Sequence, residues 1–541
     1  MEGLSVRFDS ILFPESVPES LQEVVQERVH AISRAPIREA GDSGRLESVQ
    51  APPFFHDLNL DRIVEAVTAG WKQYDLAPFY YTRLSDLDAI LYRQEVMKDL
   101  EEKPVMEAVR LFSKRMHSMR ERLDEARELG DYKYSGERRF MIAVETYCQA
   151  VDGLLESLSE FKLNSRGLRA FRDYLSEYLM SDDFADMVAE LEKLKSDISA
   201  VRYCLLLRNG SVTVRPYNSE PDYSAAVEET FAKFRHGTAR SHSLESRRWM
   251  GMNHIEAQVL DRVALLYPDT FRALDAFYEG HRGYLNRKIA RFDREIQFYV
   301  AYLAYIDKCR GGGLTFCIPR VSKTSKEISG REVFDLALAG KLAGGTAAVV
   351  PNDFFLTGPE RVFVVSGPNH GGKTTFARTI GQLHYLAALG CPVPGTEVRL
   401  FLFDHLFTHF EQEEDITSLR GKLQSDLVRI RQILEQATPQ SVIVMNEMFS
   451  STTLKDAVYL SKKVMDEISR LDLLGVWVTF LDELSSLNEK TVSMVSAVDP
   501  QNPAIRTYKL GRRPADGLAY ALAIAQKYHV TYDRLKERIK A

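Results

Sequence analysis

Apolar positions recur at two different spacings along this chain, and the change from one to the other divides it. From Asp57 to about Arg208 the spacing is helical. Leu58, Leu60, Ile63, Val64, Val67 and Trp71 make one stripe; Leu84, Leu87, Ile90 and Leu91 make another. Residues three and four apart share one face of a helix. Two charged stretches, Ala108 to Leu129 and Phe171 to Ser199, hold few glycines or prolines and predict long helices. Such helices brace domains, transmit between them or form a bundle, and their charged faces read first as solvated surface. Ahead of them lies a lead-in, residues 1–55. It contains a short helix from Ser20, which serves as N-cap, and a polar stretch, Ile37 to Gln50, with Gly41 and Gly44 that reads as mobile. Pro52-Pro53 closes it.

At Leu205 the period shortens. Leu205-Leu-Leu-Arg and Ser211-Val-Thr-Val-Arg-Pro, joined by Asn209-Gly210, predict a β-hairpin. Phe231 to Arg248 is locally basic, with Lys233, Arg235, Arg240, Arg247 and Arg248 interleaved with Phe234 and followed by Trp249. That pattern suits contact with a phosphate backbone, and it equally suits a solvated loop and helix end. Helices resume from Ile255 to Lys308. The last presents Ile296, Tyr299, Val300, Leu303 and Ile306 on one apolar face. Cys309-Arg-Gly-Gly-Gly313 is the sharpest linker signal and places the main boundary there.

Beyond Gly313, short apolar runs (Ala347–Val350, Val362–Val365, Ser441–Met445, Val476–Phe480) alternate with helical patterns. This predicts a largely parallel sheet with covered faces. The second of these runs opens into Gly367-Pro368-Asn369-His370-Gly371-Gly372-Lys373-Thr374, which fits G-x-x-x-x-G-K-[ST], and Thr375 then continues into an amphipathic helix. The order strand, glycine loop, helix is what phosphate binding requires. Backbone N–H groups close around phosphate oxygens, Lys373 reaches the β- and γ-phosphates, and the Thr374 hydroxyl faces Mg²⁺ at the positive end of the helix dipole. The third run ends in Asn446-Glu447. There Glu447 is placed to orient or deprotonate water, and Asn446 stands where an aspartate would help hold the metal. Asn keeps an oxygen and loses the charge, which predicts weaker metal binding or slow hydrolysis. Phe449 to Asp456 carries a hydroxyl cluster suited to capping the next helix or to bridging to a second subunit's nucleotide.

Composition adds bounds. The 541 residues allow several domains. A formal net charge of -6 does not advertise nucleic-acid binding, and a basic patch on an acidic protein is compatible with it. Five scattered cysteines with no C-x-x-C pair argue for a reducing compartment without structural zinc. No signal peptide and no run long enough to span a membrane is read.

Gly367 to Thr374 is similar to the GPNMGGKS signature of the MutS family of DNA mismatch-repair-type ATPases, within the ABC-type ATPases. The likeness extends from about Val349 to Leu535. It includes Gly381 to Pro394, Asp404-His-Leu-Phe-Thr408, Ala437-Thr438, Asn446-Glu447, Thr452-Thr453 and Asp516 to Ala525. By the resemblance, Val350 and Asn352 lie near an adenine ring. The helical region from Leu58-Asn-Leu-Asp61 onward suits the family's core and lever, and residues 205–250 a clamp-like insertion. Departures stand beside these matches. The family's mismatch-reading and connector domains have no counterpart in the 55-residue lead-in, Gly421-Lys-Leu replaces a serine-bearing "S-T-F", with Ser418 or Ser425 as substitutes, and Phe480 stands for a histidine.

The expectation is therefore an all-α core and lever region with a small β insertion over residues 56–310, followed by an α/β P-loop ATPase over 311–541. Lys373 and Glu447 would be catalytic, Gly367 to Thr375 with Val350 and Asn352 would bind ATP, and Thr374 with Asn446 would hold Mg²⁺. The resemblance implies a cytoplasmic homodimer joined through its ATPase domains that acts on DNA, branched or duplex, in mismatch repair or recombination. A nucleotide-gated interaction protein without DNA affinity, and a nucleotide switch that has lost hydrolysis, are the alternatives.

Overall fold

In the computed structural model of the chain, the described residues are 8–14, 50–129, 132–220, 223, 253–345, 348–411, 421–499, 501, 505–515, 530–532 and 535–536. The helix expected from Ser20, the basic stretch Lys233 to Arg248, Ser418 and the helix expected over Asp516 to Ala525 lie outside them.

The helical half begins with α1 (Phe54–Asp57), α2 (Leu60–Thr68) and α3 (Ala77–Tyr81). Longer helices follow: α4 (Leu87–Glu101), α5 (Lys103–Glu128), α6 (Lys133–Glu160), α7 (Arg166–Leu179) and α8 (Asp182–Ser199). The expected single stretch Phe171 to Ser199 is two helices. Ser181 ends the first by capping the second, accepting from the Phe184 N–H, with Asp182 and Asp183 in the first turn where the helix dipole favours them. Helices α5 and α6 pack antiparallel along their length.

The hairpin is present as β1 (Tyr203–Arg208) and β2 (Ser211–Pro216). Asn209 and Gly210 both have positive φ, the geometry that a two-residue turn between twisted strands demands. It packs on α9 (His254–Leu266), which precedes α10 (Pro268–Gly280) and α11 (Arg287–Arg310). The apolar face expected on α11 is buried, and the other faces of its middle are buried with it. Every residue from Phe292 to Leu303 is buried, including Asp293, Arg294, Glu295 and Gln297. The helix is a central spine enclosed on all sides. Its charges are buried because they have partners: Asp293 pairs with Arg120, and Arg294 donates to the Tyr74 carbonyl at 2.8 Å.

The C-terminal half contains β3 (Phe316–Cys317), β4 (Arg320–Ser322), β5 (Ile328–Val333), α12 (Leu336–Leu342), β6 (Asn352–Leu356), β7 (Val362–Ser366) and α13 (Lys373–Ala388). It continues through β8 (Val393–Pro394), β9 (Glu397–Phe401), β10 (Leu406–Phe410), α14 (Lys422–Gln436), β11 (Val442–Asn446), α15 (Leu454–Leu471), β12 (Leu474–Val478), β13 (Thr491–Val498) and β14 (Arg506–Arg512). The main sheet has the order β10-β11-β12-β7-β13-β14. Its first five strands are parallel and β14 closes one edge antiparallel. A second sheet, β4-β9-β5-β6, lies beside it.

Two expected strands shift. Ala348 to Pro351 is not a strand: Pro351 offers no N–H to a ladder, and pairing starts at Asn352, opposite Val333. The run at Val476–Phe480 pairs over Leu474–Val478, leaving Phe480 outside the sheet and 54% exposed. One apolar cluster runs without a break from Phe8 through α11 and α13 to Leu510. The helical half and the sheet therefore share a core. Asp57 and Leu58 help to tie them together. Asp57 accepts from Thr408 Oγ1 at 2.6 Å and Arg429 at 3.1 Å. Leu58 sits against Gly381, where a Cβ would come within 2.7 Å of its side chain.

Candidate nucleotide site

Strand β7 is fully buried, so the chain can leave it only at its end, and it leaves into the glycine loop. Gly367 and Gly372 take φ of 116° and 90°, values that suit glycine, and His370 is held at 58°. Gly371 is required for space. A Cβ there would overlap Ser496 Oγ and lie 3.0 Å from the Pro368 carbonyl. Ser496, on the neighbouring β13, donates to the Gly371 carbonyl at 2.6 Å and so pins the loop. Arg506 of β14 holds the other side, donating to the Asn369 carbonyl at 3.1 Å.

Lys373 is the first residue of α13 and only 4% exposed. Its ammonium donates to the carbonyls of Gly367 and Pro368 at 2.9 and 3.1 Å, and lies 4.8 Å from the centre of the Phe480 ring. Burial lowers its pKa, and the charge of Glu447 opposes that. The lysine is thus desolvated, charged and held by its own loop, ready to exchange weak partners for stronger anionic ones.

Thr374 donates to Asn446 Oδ1 at 2.9 Å, so the two expected metal-side oxygens meet. Glu447 follows at the end of β11 with φ 53°, its N–H bonded to the Val478 carbonyl at 2.9 Å. The parallel pairing of β11 beside β12, and of β12 beside β7, brings the acid and the loop to the same sheet edge.

Over the loop lies a cavity of about 750 Å³. Asn369 to Thr375 and Glu447 line it together with Val333, Asp335, Leu338, Leu342, Val349, Val350, Asn352 and Tyr508. A lining that joins a phosphate loop to several apolar side chains suits a flat heteroaromatic base joined to a polyanion. Asn352 is oriented by β14, donating to the Tyr508 carbonyl at 3.1 Å and accepting from the Leu510 N–H at 2.8 Å. Gly367 and Pro368 shape the loop without lining the cavity. The residues present fit ATP: a glycine cradle, a desolvated lysine and a partly apolar cavity in one place. They fit Mg²⁺ through two neutral oxygens, Thr374 and Asn446.

Sequence reasoning missed Ser496, Arg506, Tyr508 and the apolar lining of Val333, Leu338 and Leu342, all brought in by strands or a helix distant in the chain. Thr453 is the N-cap of α15, accepting from the Asp456 N–H, as the hydroxyl cluster suggested. Gly421 begins α14 with no side-chain cap, and Ser425 lies in that helix. No helix among the described residues is long and apolar enough to cross a membrane.

The family model described as MutS domain V matches residues 363–532. Similar curated proteins include an "Endonuclease MutS2" of Gemmatimonas aurantiaca, 31% identical over 205 residues, 37% of this chain and 25% of that protein. A "DNA mismatch repair protein MutS" of Desulfovibrio desulfuricans is 31% identical over 193 residues, covering 34% and 20%. Another of that name, from Bacillus cereus strain G9842, is 24% identical over 373 residues, covering 66% and 39%. The chain thus spans well under half the length of these relatives.

Proposed function

Because this chain belongs to the MutS family of DNA mismatch-repair-type ATPases, as a divergent member, we propose that it binds ATP with Mg²⁺ over the phosphate loop, hydrolyses it slowly, and uses nucleotide state to govern contact with DNA. One observation carries the nucleotide reading: Lys373, Thr374 and Glu447 line one cavity with Val333, Leu338, Leu342, Val349 and Val350, and Thr374 is held there by Asn446.

When bound, Mg²⁺ and ATP supply the charge-neutralising cation and the phosphoanhydride to be cleaved. Lys373 leaves the Gly367 and Pro368 carbonyls for phosphate oxygens. The loop N–H groups and the N-terminus of α13 stabilise the same negative charge. Glu447 accepts the proton of the attacking water, and Val333, Val349, Val350 and Tyr508 exclude solvent around the base. Asn446 orients Thr374 without adding negative charge, which favours slow turnover.

The further parts of the proposal are a cytoplasmic homodimer joined through the ATPase regions, with residues 56–310 as core and lever, 311–541 as the ATPase unit, and 205–250 as a clamp-like insertion. Its DNA contacts would be Lys233, Arg235, Arg240, Arg247 and Arg248. A second reading, a nucleotide-gated interaction protein, is favoured by the hairpin. Tyr203, Leu205 and Leu207 lie on one face with Val212, Val214 and Pro216, carrying no charge, and Leu207 is 77% exposed. Such a face suits a protein partner better than a phosphate backbone.

The test is ATP hydrolysis and DNA binding measured together, on single-stranded, duplex and four-way DNA, with Lys373→Ala as control. Nucleotide-dependent binding to one DNA form, lost in the control, supports the DNA reading. Nucleotide binding with no DNA response at low salt supports the second.

A further inference from the structure

Residues 8–14, Phe-Asp-Ser-Ile-Leu-Phe-Pro, belong to no helix or strand, yet Phe8, Ser10, Ile11, Leu12 and Phe13 are all buried. An irregular buried segment has to find partners for its backbone polar groups. This one finds them in side chains of the helical half. Five consecutive carbonyls are each taken: Phe8 by Lys288 at 2.6 Å, Asp9 by Arg291 at 3.2 Å, Ser10 by Tyr92 at 2.8 Å, Ile11 by Tyr299 at 2.7 Å and Leu12 by Arg93 at 3.0 Å. Glu295 accepts from both Ser10 Oγ, at 2.7 Å, and the Ile11 N–H, at 3.0 Å. Ser10 Oγ in turn accepts from the N–H groups of Leu12 and Phe13.

Side-chain pockets complete the seat. Phe8 packs its ring 4.9 Å from Phe171, and Phe13 lies under the Arg93 guanidinium at 4.9 Å. Gly167 makes room for Ile11, since a Cβ there would come within 2.8 Å of it. Nearly every contact that holds the segment is made by side chains of the helical half, so the same residues could be held as a separate peptide. Residues 15–49 separate this segment from Gln50 in the sequence.

The seat has an outlet. Arg93 is wholly buried and joins the segment to α13, donating from Nε to the Leu12 carbonyl and from Nη1 to the Leu389 carbonyl at 3.1 Å. Leu389 closes the helix whose first residue is Lys373.

We propose that the helical half carries a peptide-recognition slot whose occupant is this chain's own segment 8–14, held as an exchangeable ligand, and that occupancy braces the C-terminal end of α13 through Arg93. The slot selects a Phe-x-Ser-Ile-Leu-Phe peptide that turns at Ser10. No nucleotide is needed for it to fill.

The test uses the full chain with a specific protease site inserted between residues 37 and 49. After cleavage, the N-terminal fragment should co-elute with the remainder on gel filtration. A fluorescent peptide of residues 6–15 should enter the cut chain and not the uncut one. The same peptide carrying Ser10→Ala should bind about fivefold more weakly or worse, because Glu295 and the Leu12 and Phe13 N–H groups lose their partner. Filling the slot should slow hydrogen exchange at Leu389 and Gly390. Failure of the peptide to enter the cut chain, or entry with no change at Leu389 and Gly390, overturns the proposal. Should the cut chain aggregate, the uncut Ser10→Ala chain decides. Faster exchange at both Ile11–Phe13 and Leu389–Gly390 supports the slot and its brace, and faster exchange at Ile11–Phe13 alone overturns it.

Discussion

Thr374 Oγ1 and Asn446 Oδ1 lie 2.9 Å apart, one from the phosphate loop and one from the end of β11. Both oxygens are neutral, where a divalent cation gains most from a carboxylate. Asn446→Asp should therefore lower the Mg²⁺ concentration for half-maximal ATP hydrolysis severalfold and raise turnover. Glu447→Gln should abolish turnover and leave binding of a fluorescent ATP analogue intact. A parent chain already at background, unchanged by Glu447→Gln, would show that hydrolysis has been lost.

Phe480 covers the Lys373 ammonium from outside the sheet. A cation over an exposed aromatic ring is held by about 0.5–1 kcal/mol. Phe480→Ala should release that hold and tighten nucleotide binding by about two- to fivefold on the same basis. Titration with the fluorescent analogue reads this directly. Unchanged or weaker binding would mean that the ring supports the nucleotide rather than competing with it.

Ser496 Oγ fills the space that a side chain on Gly371 would need. Gly371→Ala should abolish nucleotide binding, because the loop must move away from β13. Adding Ser496→Gly removes the obstructing atoms and should restore part of the affinity, leaving the Pro368 carbonyl as the remaining obstacle. A double mutant no better than the single would place the defect elsewhere in the loop.

Glu137, on α6, is buried against Asp275 of α10. Burial first, then the hydrogen bond and charge of Asp275, push its carboxyl from 4.5 up to about 8, with Lys133 opposing and Glu279 adding to the rise. A raised carboxyl is buried more favourably as the neutral acid. Its contribution to stability is complete below about pH 4.5 and is lost as pH rises toward 8. Glu137→Gln should flatten the fall of the thermal midpoint between pH 5 and 8, while at pH 5 the midpoint stays within about 2 °C of the parent. An unaltered slope would assign the pH dependence to other groups.

What the sequence disclosed is what neighbours in the chain decide. The turn at Asn209-Gly210, the loop from Gly367 to Thr374, Asn446-Glu447 at a strand end and the cap at Thr453 each rest on a few consecutive residues. The missed features rest on residues far apart. Ser496 meets Gly371, and Arg506 meets Asn369, only because β13 and β14 add to β7. The apolar lining of the cavity needs β5 and α12. The burial of α11 on every face was hidden because Asp293, Arg294, Glu295 and Gln297 look like a solvated face until Arg120, Tyr74, Ser10 and Trp71 are found opposite them. Phe8 to Phe13 carries no helical or strand period, so its burial left no mark on the pattern.

The enclosure of α11 also orders events during synthesis. Ser10 waits for Glu295, 285 residues further along the chain. At translation rates of about 5–20 residues per second, that wait is roughly 15–60 s. Through it, Phe8, Ile11 and Leu12, and then Phe112 and Phe171 once they are made, have no spine to pack against. The helices before α11 can pack on one another as they are made, but the side chains that meet this spine stay uncovered until residue 310 has been made.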